Sequence, residues 1–136
     1  MKRNILLAYQ LLTGTSDTVT GLLLIFAPVT TLQLMKLHAV PDALPFLSYI
    51  GVFVLSVGIA CLYGASLAKP PIAPEKLAVV WLLTAITRAL VAVFVVGKVL
   101  LGTLESGWIT VALTDGLFAM LQFFGLAKGW LQSVEN

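Results

Sequence analysis

Four stretches of the chain are almost continuously apolar, and short segments rich in proline, glycine, lysine or threonine separate them. A helix needs about 20 mainly apolar residues to cross the hydrocarbon core of a bilayer. The stretches at about 5–27, 44–67, 77–101 and 108–126 meet that length and predict four membrane-crossing helices. Pro28 is expected to end the first. Beyond it, the segment from Val29 to His38 sets Leu32, Met35 and Leu37 among polar neighbours. This predicts a short interfacial helix, capped by Thr30 or Thr31, with the three apolar side chains dipping into the headgroup boundary. Pro70, Pro71 and Pro74 predict a stiff surface loop between the second and third crossings. The last connection, about 102–107, is short enough to make the third and fourth helices an antiparallel hairpin. With no soluble domain, long repeat or low-complexity tail, residues 1–136 read as one all-α domain, an integral membrane four-helix bundle.

Composition supports a lipid solvent. Of 136 residues, 60% are hydrophobic and only 10% charged, against about 25% charged in soluble domains. A soluble fold of this size would have to leave much of that apolar area facing water. The formal charge of +2 comes from single, scattered basic residues, which argues against nucleic acid as a partner. The lone cysteine, Cys61, excludes an internal disulfide and a paired-cysteine zinc or redox site. It reads as a small side chain packed in a helix. Met1-Lys2-Arg3 before Ile5-Leu6-Leu7-Ala8 looks like the opening of a signal peptide. Gln10 and Thr13 interrupt the apolar run, however, and no small-x-small cleavage site follows, so the segment is expected to stay as the first membrane helix.

Short cytoplasmic segments hold the excess of Lys and Arg. Lys2, Arg3, Lys69, Lys76 and Lys128 fall on one side, Lys36 and Lys98 on the other. Both termini are therefore expected in the cytoplasm. Trp108 and Trp130 are expected as interfacial anchors of the fourth helix, and Trp81 as a marker of the inner end of the third.

Three ionisable residues, Asp17, Arg88 and Asp115, interrupt the apolar stretches. Insertion of such a group at a helix centre costs about 2.5–3.5 kcal/mol, so each needs a partner or a purpose. At about 1.5 Å per residue they lie about 18, 17 and 19 Å from the same surface, at one level on three helices. Residues three and four apart share a helix face. Gln10, Thr13, Gly14, Asp17, Thr20 and Gly21 form such a face in the first helix. Trp81, Thr84, Ala85, Arg88 and Ala92 do so in the third, and Ala112, Asp115, Ala119 and Gln122 in the fourth. Small residues let backbones approach and hydroxyls and amides bond across helices, so these stripes are expected inside, with Thr87 and Thr114 beside the charges as further polar lining. In the second helix Ser48, Gly51 and Gly58 offer one packing face, and Ser56, Ala60 and Gly64 another.

The guanidinium of Arg88 has donors enough for a carboxylate on each edge. Such a cluster keeps a net charge of −1, which a proton or a cationic ligand would offset. His38, Glu75 and Glu105 read as solvated or headgroup-facing, and Tyr49 and Tyr63 as helix-end anchors or packing residues. No catalytic set, metal site or cofactor is expected.

Asp17 ahead of Gly21-Leu22-Leu23-Leu24 and Ala27-Pro28, Gly51-Val52-Phe53-Val54 with Gly58, Thr87-Arg88, and Thr114-Asp115-Gly116 together resemble small bacterial four-helix membrane proteins of a loosely DoxX-like kind. The resemblance spans most of the chain and implies the four-helix fold and the charged triad. It implies no reaction, because that group has no settled activity. Its members often carry Gly where this chain has Thr87 and Thr114, which puts a hydroxyl beside each charge.

Two functions follow. In the first, the chain is a non-enzymatic accessory or assembly subunit of a membrane complex, and the Asp-Arg-Asp clasp fixes helices that are otherwise interchangeable. In the second, a proton- or cation-coupled transporter or a lipid- or quinone-binding protein uses the same carboxylates, as a homodimer because four short helices enclose little volume. A membrane enzyme would use them as acid and base, but no His, Cys or metal constellation in the helices supports that.

Overall fold

Long apolar runs without an internal proline satisfy their own backbone groups only as helices once water is removed. The computed structural model describes residues 3–132, and five α-helices carry most of them. They are α1 (Arg3–Phe26), α2 (Pro28–Leu34), α3 (Leu44–Leu67), α4 (Pro74–Leu100) and α5 (Ile109–Ala127). Met1 and Lys2, the latter counted above for orientation, lie outside the described residues.

Two prolines act differently from the expectation. Pro28 and Pro74 each stand at the first position of a helix, where the missing N–H has no intrahelical partner to lose. Pro28 thus opens α2 immediately after α1, and Pro74 starts α4 three residues earlier than the apolar pattern suggested. Neither Thr30 nor Thr31 caps α2; Thr31 Oγ1 donates instead to the Ala27 carbonyl at 2.9 Å. Three helices end in the same way, with a left-handed residue that lets the next N–H reach back to the last turn. Gly102 (φ 70°) and Gly129 (φ 64°) do this for α4 and α5, and Lys36 (φ 57°) for α2.

α3, α4 and α5 are long and apolar enough to cross a membrane. α1 matches them in length, but its run of Thr13, Thr15, Ser16, Asp17, Thr18 and Thr20 makes it the most polar of the four. The outward surfaces are largely apolar: Leu100, Phe26, Val93, Phe53 and Leu117 are all exposed. This is a helical membrane protein, since water would not tolerate apolar surface on that scale.

α1 packs along α3, α3 along α4, and α4 along α5. The tightest crossing is between α1 and α3. A Cβ placed on Gly21 would stand 2.5 Å from the Leu55 backbone nitrogen, and one on Gly58 would stand 2.5 Å from the Thr18 nitrogen. Gly51 and Gly58 do form the packing face expected of them, and Ser48 Oγ adds a 3.3 Å bond to the Ile25 carbonyl. The second face of α3 contributes Gly64, against which the Gln10 side chain rests.

Apolar cores close both ends. At one, Leu6, Ala68, Leu77, Trp81 and Leu131 are buried together, so Trp81 belongs to the interior and not to the interface. At the other, Leu32, Leu37 and Leu47 are buried with Met35, Leu44 and Trp108 packed on them. This corrects the expectation that Leu32, Met35 and Leu37 dip into headgroups, and it shows Trp108, expected as an anchor, packed on the same cluster. The turn at Lys36 folds Leu37 back toward Leu32, and the loop before α5 lies on Leu37 through Gly107.

The same docking pairs two residues that had read as solvated. His38 presents its backbone N–H to Glu105 Oε1 at 3.2 Å, and its Nδ1 lies 2.8 Å from Glu105 Oε2. The hydrogen bond from the imidazole to the carboxylate, reinforced by their attraction, holds His38 above the ordinary imidazole range. The same side-chain bond, then the backbone N–H, holds Glu105 below the usual carboxylate range. A raised histidine contributes stability below its unfolded pKa and loses it as pH rises; a lowered carboxylate contributes above its unfolded pKa and loses it as pH falls. The tie is therefore strongest between about pH 4.3 and 6.5. We expect the His38 ring resonances to titrate above the unperturbed imidazole midpoint and to return to it in Glu105→Gln. An identical midpoint in the two proteins would show that the tie does not form.

A buried charge cluster between three helices

Arg88 stands in the middle of α4, on the face where Trp81, Thr84 and Ala85 are also buried. Its side chain is only 3% exposed, and its guanidinium is shared between two helices on either side. Nη1 donates to Asp115 Oδ1 of α5 at 2.6 Å, and Nη2 donates to Asp17 Oδ2 of α1. The three residues expected at one level thus touch, and each carboxylate takes one edge of the fork. Asp17 and Asp115 are 18% and 20% exposed, so the cation is enclosed and the anions are less so. The Phe118 ring lies 5.2 Å from the guanidinium carbon and covers a further side of it.

Below the cluster, toward the start of α1, an aromatic and amide layer fills the space between helices. Tyr9 packs on Trp81 at 5.4 Å and edge-on to Phe118 at 5.8 Å. Gln122 Nε2 donates to Thr84 Oγ1 at 2.7 Å and joins α5 to α4. Gln10, Thr13 and Gln122 are all buried, as the helical spacing indicated. Cys61 is buried beside them, within interaction range of Thr13 and Arg88. Tyr9 Oη, both Gln10 amide atoms, Trp81 Nε1, Gln122 Oε1 and Arg88 Nε are buried without a protein partner.

The remaining predicted lining differs. Thr20 is half-buried, while Thr87 and Thr114 are exposed and donate to the Leu83 and Thr110 carbonyls of their own helices. Each stands one residue before a charged side chain, and a step of about 100° carries it out of the interior. Tyr9 and Phe118 were not expected beside the charges, whereas Trp81 shares the Arg88 face as its spacing indicated. The spacing Tyr9, Thr13, Ser16, Thr20 on one stripe of α1 was the available signal for the first of them.

Chemically, the arrangement can hold three helices in register and can offer carboxylate oxygens at mid-depth. Among the described residues no group of His, Cys, Asp and Glu gathers as metal ligands would. Comparison with protein families, curated proteins and solved structures finds no match for this chain.

Proposed function

We propose that this is a small four-crossing integral membrane protein, acting without catalysis as an accessory or assembly subunit of a membrane complex. The observation that carries the reading is the sharing of one enclosed guanidinium between carboxylates of two other helices. In hydrocarbon, all apolar contacts are nearly equivalent, and such a polar contact is what selects one register over another. α1 then crosses with the others although it is the most polar of the four, because Gln10 and Thr13 are buried in the bundle and Asp17 is held by Arg88. Four crossings put both termini on one side, and the excess of Lys and Arg flanking that side makes it the cytoplasmic one.

Single cysteines test the crossings and the orientation, with Cys61 buried and out of reach of reagent. Lys69→Cys and Lys128→Cys are expected to react only with reagent on the cytoplasmic face, Ala39→Cys and Thr103→Cys only with reagent on the other. Labelling of Ala39 and Lys69 from the same face would contradict four crossings. A second reading, a proton- or cation-coupled carrier, draws on the partial exposure of both carboxylates. It requires that Asp115→Asn abolish a flux while thermal unfolding stays unchanged, whereas the clasp requires that unfolding shift.

A further inference from the structure

The hydroxyls of the long helices divide into two groups. Thr13, Ser48, Ser56, Ser66, Thr84, Thr87, Thr110 and Thr114 each donate to a backbone carbonyl, mostly of their own helix. Among the described serines and threonines of these helices, the hydroxyls with no such bond are those of Thr15, Ser16, Thr18 and Thr20, and all four flank Asp17. A hydroxyl that faces hydrocarbon normally bonds to its own helix, because nothing else there accepts.

Placement shows where two of them point. Tyr9, Thr13, Ser16 and Thr20 follow one another at helical spacing, and Tyr9 on that stripe touches Phe118 of α5. The stripe therefore borders the line along which α1 and α5 come together. Near Tyr9 the line is closed by the aromatic pair. Farther along, α1 and α5 share no extended backbone packing, and Arg88 joins them through its two carboxylates. On α1 next to Asp17, Ser16 is exposed and Thr20 half-buried, and Asp17 and Asp115 each keep about a fifth of their surface. Arg88 lies between the two helices at the base of this seam, 3% exposed, with its Nε–H unpartnered.

We infer that the seam is a docking surface for a transmembrane helix of another protein that carries one basic side chain at mid-depth. The charge decides the partner. Two carboxylates against one guanidinium leave one negative charge, which a single ammonium or guanidinium neutralises, while Ser16 and Thr20 supply the interhelical hydrogen bonds around it. A second copy of this chain cannot supply that cation. Its one mid-depth basic residue, Arg88, is enclosed and already shared, and Arg3, Lys76 and Lys98 stand in the end turns of their helices. The inference rests on the assembly reading and names the partner it would have.

Fluorescent transmembrane peptides of leucine with a central lysine or a central leucine test it, by energy transfer to the full-length protein in phosphatidylcholine vesicles. The lysine peptide is expected to associate about tenfold more tightly. Ser16→Ala/Thr20→Val is expected to remove most of that preference without moving thermal unfolding, and Asp115→Asn to abolish it. Equal association of the two peptides overturns the inference, as does a preference that survives Ser16→Ala/Thr20→Val. Dodecylammonium binding that depends on Ser16 and Thr20, with no preference between peptides, would assign the seam to a small cationic amphiphile instead. Self-association lost in the same variant would assign it to a second copy. Either result leaves the clasp untouched, because the clasp is read from unfolding and the seam from peptide binding.

Discussion

Arg88→Leu is expected to destabilise the folded helices by about 3–5 kcal/mol, the usual cost of removing one partner from a buried ion pair. The cause is less the lost attraction than what remains. Asp17 and Asp115 would face each other between the helices without the donors that now satisfy them, and each must then take up a proton or turn outward. Lysine in the same place is not equivalent. It presents a point charge on a flexible stem, whereas the two nitrogens of the guanidinium edge reach α1 and α5 simultaneously in a fixed plane. Arg88→Lys is therefore expected to recover only part of the loss. Circular dichroism of purified protein in detergent, followed with temperature, checks both; a melting profile of Arg88→Leu that matches the parent would remove the clasp from the account.

Gly58→Leu is expected to be as damaging, for a reason of shape. The Gly58 backbone meets the backbone of Thr18 so closely that even a methyl group would stand 2.5 Å from the Thr18 nitrogen and hydroxyl. The hydroxyl can rotate away, but the nitrogen is backbone and cannot, so α1 and α3 must separate. Gly58→Ala is expected to cost about 1–3 kcal/mol, and leucine more. Separation of these helices also moves Asp17, one residue from the contact, away from Arg88. Gly97→Ala is the control: its added Cβ meets nothing within 4 Å and sits inside α4, so it is expected to be neutral or to stabilise by up to about 1 kcal/mol. Equal melting of Gly58→Leu and Gly97→Ala would show that the α1–α3 crossing is not close.

The pattern of apolar stretches gave the four long helices nearly to the residue, α3 at Leu44–Leu67 included, because in lipid a long apolar run has few alternatives to a helix. The level of Asp17, Arg88 and Asp115 was legible for the same reason, since a helix converts residue number into depth at a fixed rise. What escaped was mostly tertiary. Leu32, Leu37 and Trp108 have the composition of interfacial residues, and only the back-turn at Lys36 brings them inward onto Leu47. His38 and Glu105 are 67 residues apart, and their pairing needs the loop before α5 to rest on Leu37. Thr87 and Thr114 misled because adjacency in sequence was read as adjacency in space, which a helix denies. Pro28 and Pro74 were read as interruptions, although the first turn of a helix accepts proline without loss. Tyr9, lying two turns from Asp17 on a stripe of hydroxyls, was the aromatic most open to recognition from spacing alone.

The clasp itself is tested most directly by comparing thermal unfolding of Arg88→Leu with that of Asp17→Asn/Arg88→Gln/Asp115→Asn. The triple variant removes every formal charge while keeping donors and acceptors of similar size on all three helices. If the cluster holds the fold together by satisfying itself, the triple variant should melt well above Arg88→Leu and below the parent. A triple variant that melts no higher than Arg88→Leu would contradict it, and so would one that folds like the parent in cells that have nevertheless lost an activity of the protein.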